Sequence, residues 1–169
     1  MDLLPGISWK PQPPGFGKMS KENRILVVDD EPVITSTLSN YLSRAGYQNV
    51  RVVNDPMAVK AEIDTFNPQI LLLDISMPQL DGLKILERLS DQIVNDSLMV
   101  IMVTSSEEDH VKRQALVLGA RDFIAKPVDP VQLIHRLENA VAGKPNREFI
   151  LHCLPPKANR STNDTTPPQ

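Results

Sequence analysis

The sequence predicts a doubly wound α/β fold, a five-stranded parallel sheet with helices on both faces in a (βα)5 order. Three observations predict it: five short apolar runs, helical spacing between them, and acidic residues placed just ahead of prolines where helices should begin. The runs are Ile25-Leu26-Val27-Val28, Val50-Arg51-Val52-Val53, Ile70-Leu71-Leu72-Leu73, Val100-Ile101-Met102-Val103 and Phe123-Ile124-Ala125. Most are continuous rather than alternating, as strands buried on both faces are. Between them, Val33, Thr37, Leu38, Tyr41, Leu42 and Ala45 follow helical spacing, as do Leu83, Leu86 and Leu89, and then Leu133, Ile134, Leu137 and Val141. Glu31-Pro32, Asp55-Pro56 and Asp129-Pro130 mark helix starts, and Gly46, Gly119 and Gly143 mark helix ends. Alternating strand and helix units require parallel strands and right-handed crossovers, with any site at the carboxyl ends of the strands.

The 169 residues suffice for one domain with a substantial core, expected over residues 22–142. Nine of the 15 prolines fall before residue 19 or after residue 143, so residues 1–21 and 143–169 read as extended polypeptide, the latter a tail or linker. A net charge of −3 gives no general attraction to nucleic acid or to an anionic membrane. The longest wholly apolar run, Leu98 to Val103, falls far short of the roughly 20 residues that span a bilayer. A single cysteine, Cys153, leaves no internal disulfide, which fits a cytoplasmic location.

The strand ends carry the chemistry. The first run ends in Asp29-Asp30, the third in Asp74, the fourth in Thr104 and the fifth in Lys126. Carboxylates brought together repel, by roughly 4 kcal/mol for a pair 4 Å apart at an effective dielectric of 20, so the cluster calls for a cation. Oxygen-only ligands suit Mg²⁺ or Mn²⁺, and the scattered His110, His135 and His152 read as surface or packing residues rather than ligands. Taken singly, Asp29-Asp30 could cap the next helix, and Asp74 could begin the turn that runs through Pro78 and Asp81-Gly82.

Together, Ile25-Leu26-Val27-Val28-Asp29-Asp30-Glu31, Leu72-Leu73-Asp74-Ile75-Ser76-Met77-Pro78-Gln79-Leu80-Asp81-Gly82, Val103-Thr104-Ser105 and Lys126-Pro127 resemble the response-regulator receiver family over residues 24–141. That resemblance implies a flavodoxin-like fold and a role in two-component signalling. It implies Asp74 as the residue that takes a phosphoryl group from a sensor histidine kinase or a histidine phosphotransfer protein. Asp30, Asp74 and the backbone carbonyl of Ser76 match the protein ligands of Mg²⁺, with Asp29 acting through metal-bound water. Lys126 matches the lysine that contacts the phosphoryl oxygens, Thr104 the hydroxyl that swings toward them, and Phe123 the switch aromatic. A cis peptide bond at Lys126-Pro127 is also implied. The resemblance makes the chain a phosphoacceptor signalling domain that catalyses its own phosphorylation and dephosphorylation rather than a substrate-turning enzyme.

Two other readings compete. A hydrolase of the haloacid-dehalogenase type also uses an aspartyl nucleophile and Mg²⁺, but it has a second aspartate two residues later, where this chain has Ser76. The other is a docking module that has lost phosphorylation, against which stands the presence of every acceptor-site residue. Ser76 and Ser106, two positions beyond Asp74 and Thr104, lack an acid or amide to orient attacking water, which predicts a phosphoryl lifetime of minutes or longer. The output surface is expected on the fourth helix, fifth strand and fifth helix, with Leu116 facing outward and His135 and Arg136 at its border. It would bind a downstream effector protein or a second copy of the domain, with no direct nucleic-acid or membrane contact.

Overall fold

The computed structural model describes residues 18–95, 97–105 and 108–144. Most of the extended ends expected at residues 1–21 and 143–169 lies outside these, as do Ser106, His152 and Cys153. Five strands form: β1 (Ile25–Val28), β2 (Val50–Val53), β3 (Ile70–Asp74), β4 (Met99–Thr104) and β5 (Asp122–Ala125). They pair in parallel in the order β2-β1-β3-β4-β5. The order reverses between β1 and β3, which opens a crevice beyond their carboxyl ends.

Alternate residues of the central strands face opposite layers, which is why β1, β3 and β4 read as continuous apolar runs. Ile25, Val27, Ile70 and Leu72 meet α1 (Pro32–Arg44) and α6 (Pro130–Val141) through Leu38, Leu42, Leu133 and Leu137. Leu26, Val28, Leu71 and Leu73 meet α2 (Val59–Phe66), α3 (Gly82–Arg88) and α5 (Asp109–Val117) through Val59, Ile63, Leu86 and Ala115. Leu42 is fully buried, and Leu42→Ala is expected to cost about 2–5 kcal/mol. Strand β2 is an edge: only Val53 is buried, and Arg51 reaches Glu62 at 2.9 Å.

Several details differ from the sequence expectation. The third helix breaks at Leu89 (φ −93, ψ 4) into α3 and the short α4 (Ser90–Val94), and a 3-10 turn, Pro56–Ala58, precedes α2. Asp55, Asp129 and Asp81 accept cap bonds from the backbone N–H groups of Met57, Gln132 and Leu83, whereas Glu31 makes no side-chain cap. Instead, Asp29 Oδ1 accepts from the Glu31 N–H at 2.9 Å. Val33 is 74% exposed; it lies about 140° around the helix from Leu38, off the buried stripe of Thr35, Leu38 and Leu42. Leu116 does not face outward. It is half-buried against the core, and Val117 holds the exposed position at 75%. Leu116 stands one turn beyond Lys112, a polar residue by type that is buried on the same side of α5. Gly46, Gly119 and Gly143 end their helices with φ of 94, 102 and 72.

Candidate functional site

At the carboxyl end of β1, Asp29 is anchored by its own N–H, which donates to the Val53 carbonyl at 3.2 Å. Asp74 ends β3, one register step beyond Leu73, which pairs with Val28. The topology therefore sets Asp29, Asp30 and Asp74 side by side, each offering a carboxylate oxygen within 4.8 Å of the others. Asp29 and Asp74 are buried and Asp30 is half-buried. From β5, Lys126 Nζ reaches Asp29 Oδ2 at 2.6 Å and Asp74 Oδ1 at 3.3 Å. Its N–H donates to the Thr104 carbonyl at 2.9 Å, and the Lys126-Pro127 bond is cis, as the resemblance implied. Thr104 ends β4, buried, beside Ala125 of β5.

The electrostatics follow from this packing. Burial first, and the Asp29 charge second, push the Asp74 carboxyl up to about 6, although Lys126 and the Ser76 N–H hydrogen bond pull the other way. Burial alone would pull the Lys126 ammonium down. The hydrogen bond to Asp29 and the charges of Asp74 and Asp29 outweigh it, and the ammonium is held above its ordinary value. Asp74 is thus a carboxylate whose charge is poorly solvated, in the form a nucleophile needs. The donor set also fits a hard divalent cation, because it is all oxygen and a second positive charge would offset the repulsion that Lys126 offsets only in part. Asp29, Asp30 and Asp74 are the side chains that could hold such a cation. His110 instead pairs with Glu108 at 3.2 Å, and His135 is an exposed neighbour of Asn139.

Three residues absent from the sequence reading of the site shape it. Gly82 is one: a Cβ there would stand 2.1 Å from the Asp74 carbonyl oxygen, and its N–H donates to the Ile75 carbonyl at 2.8 Å. Asp81-Gly82 marks a turn in the sequence, but only the fold shows that its glycine admits the start of α3 against the acceptor strand. Asn54 is the second, and its side chain reaches the Asp29 carbonyl at 2.8 Å. Lys112 is the third, its Nζ 4.5 Å from the centre of the Phe123 ring. The Phe123 ring, expected to turn inward on phosphorylation, is buried beneath that ammonium and packed in the core. Beside the acceptor, a cleft of about 230 Å³ lined by Ser76, Met77, Asp81, Leu83 and Glu108 among others leaves the β3–α3 loop accessible.

Residues 25–138 match the response regulator receiver domain family. The chain is 33% identical over 115 residues to the alkaline phosphatase synthesis transcriptional regulatory protein PhoP of Bacillus subtilis, covering 68% of this chain and 47% of that protein. It is 39% identical over 105 residues to a protein-glutamate methylesterase/protein-glutamine glutaminase of Xanthomonas oryzae, covering 62% of this chain and 29% of that protein. The match therefore spans less than half the length of either relative. Among solved structures, a signal receiver domain from Bermanella marisrubri is similar at 33% identity and a TM-score of 0.64, covering 73% of this chain and 99% of that one. A CheY-like receiver domain protein from Methanospirillum hungatei is similar at 27% identity and a TM-score of 0.66, covering 73% and 96%.

Proposed function

The chain belongs to the response-regulator receiver family, and we propose from that premise that Asp74 accepts a phosphoryl group from the phosphohistidine of a sensor kinase or phosphotransfer protein. One observation carries the reading: a single ammonium, Lys126, bridges the buried Asp74 and Asp29 at the mouth of the crevice. In the transfer, an Asp74 carboxylate oxygen forms the new P–O bond while the bond from phosphorus to the donor imidazole nitrogen breaks. The transition state is loose, with charge spread over the equatorial oxygens, so placement and nearby cations supply most of the catalysis. Bound Mg²⁺ would supply positive charge to the phosphoryl oxygens, with Asp30, Asp74 and the Ser76 carbonyl as its ligands and Asp29 acting through water. Lys126 exchanges its carboxylate contacts for a phosphoryl oxygen, and the Thr104 hydroxyl turns toward the same group.

The signal then leaves through α5, β5 and α6. With Phe123 already buried, the approach of Thr104 favours the packing that Lys112 and Phe123 have adopted rather than creating it. Exposed Val117 on α5 and Val131 on α6 are the apolar contacts that this surface offers to an effector or a second copy of the domain. The protein acts in the cytoplasm, where the phosphodonor kinase modules work.

The test is labelling with acetyl phosphate in the presence of Mg²⁺. The expected product is acid-stable and base-labile, forms on wild type, and is absent from Asp74→Asn. Label that persists on that variant overturns the assignment of Asp74. Continuous release of inorganic phosphate without a trapped adduct would instead point to a hydrolase.

A further inference from the structure

We propose that Asn54 is a positioning residue for the metal-binding half of the site, holding the Asp29-Asp30 peptide in place from the neighbouring strand. The inference rests on the acceptor-site reading above and extends it to a residue outside the acid cluster. Asn54 follows the last residue of β2, and its Nδ2 group donates to the Asp29 carbonyl oxygen at 2.8 Å and to Thr35 Oγ1 at 2.9 Å. The Asp29 carbonyl can only accept, so the amide orientation is fixed. Thr35, 1% exposed, passes its own proton to the Pro32 carbonyl at 3.1 Å. One side chain from the edge strand thereby ties the end of β1 to the first turn of α1.

The consequence falls on Asp30. Its carboxylate makes no hydrogen bond or ion pair to another described residue, so its place depends on its backbone. That backbone is held on both sides. The peptide before it is pinned by Asn54 through the Asp29 carbonyl, and the amide after it is pinned by Asp29 Oδ1 through the Glu31 N–H. Groups that orient metal ligands without touching the metal typically change affinity 10–100-fold when removed. The alternative role for Asn54, satisfying a buried carbonyl and hydroxyl for stability alone, predicts lost stability with unchanged metal affinity.

The two roles separate when Mg²⁺ affinity and the urea midpoint are measured together on the full chain. Asn54→Leu keeps most of the volume and removes both bonds; the expected result is a weakening of Mg²⁺ binding by about 10–100-fold. Thr35→Val removes the second acceptor but leaves the Asp29 bond, and should weaken binding about threefold, whereas Thr35→Ser should match wild type. Leu42→Ala, destabilised in the core away from the site, should keep wild-type affinity. An Asn54→Leu affinity within about twofold of Leu42→Ala overturns the proposal, a margin well inside the effect expected of a ligand-orienting group. Should Asn54→Leu not fold, the Thr35 pair decides, and equal affinities for Thr35→Val and Thr35→Ser overturn it. A wild-type protein that takes up no Mg²⁺ fails the acceptor-site reading itself, which is a different outcome from wild-type binding that Asn54→Leu retains.

Discussion

The two halves of the crevice are held by different forces. On the acid side, contacts to the backbone do the holding: the start of α3 packs without a side chain against the Asp74 carbonyl, the Asp29 N–H bonds Val53, the Asn54 side chain holds the Asp29 carbonyl, and Asp29 Oδ1 holds the Glu31 N–H. On the switch side, side chains do it: Lys112 lies over Phe123, and Arg136 approaches Asp122 at 3.8 Å. Backbone clamps have one geometry, and moving them breaks hydrogen bonds or forces steric overlap. An ammonium over a ring contributes only about 0.5–2 kcal/mol and can be exchanged by rotamer changes. The chemistry proposed for Asp74 needs the first kind of support, and a surface that switches needs the second.

The sharpest way to break this contrast is Asp74→Asn, which should abolish phosphoryl uptake while leaving the fold intact. The metal-free variant should also be more stable than wild type above pH 6. The Asp74 carboxyl is raised to about 6, so its charge costs stability in full above that pH, and the cost fades as pH falls toward the ordinary value of 3.8. Urea denaturation of both proteins should therefore show a gain on the order of 1–3 kcal/mol at pH 8 that vanishes near pH 4. Lys126→Ala should slow acetyl-phosphate labelling by about 10²–10³, since it removes a cation aimed at the developing charge.

Gly82→Ala tests the backbone side alone. A methyl 2.1 Å from a carbonyl oxygen cannot be accommodated without moving the acceptor loop. Labelling should fall at least about tenfold, with stability lower by about 1–3 kcal/mol. If uptake and stability both stay at wild-type values, the acid side is softer than the contact implies.

On the switch side, Lys112→Met keeps the apolar stem and removes the charge, so it should cost no more than about 2 kcal/mol and leave labelling within a few-fold of wild type. Its effect should appear as a change in the Phe123 ring signals with and without beryllofluoride. The smallest expected change in stability is for Val117→Glu, within about 0.5 kcal/mol at an exposed position. Leu116→Glu, half-buried against the core, should cost more than that. If the output surface is placed correctly, Val117→Glu nevertheless weakens beryllofluoride-dependent association, measured by sedimentation against wild type and Thr104→Ala.

Local patterns determined most of what is proposed here about the chemistry. Continuous apolar runs mark strands covered on both sides, and carboxyl strand ends are where a doubly wound sheet collects its site, so Asp29, Asp30, Asp74, Thr104 and Lys126 were legible as neighbours from spacing and resemblance. Tertiary structure decided what depends on distance between elements. Asn54 carries no signal in the sequence until β2 is laid beside β1, and Gly82 reads as a turn glycine until α3 is laid against β3. Lys112 has the residue type of a solvated face, yet it is buried over Phe123, and Leu116, one turn further on, shares its side of α5 while Val117 faces outward. Periodicity reports only the average polarity of a helix face. A long side chain that buries its stem and spends its charge on a ring escapes that average, because its partner lies on another strand.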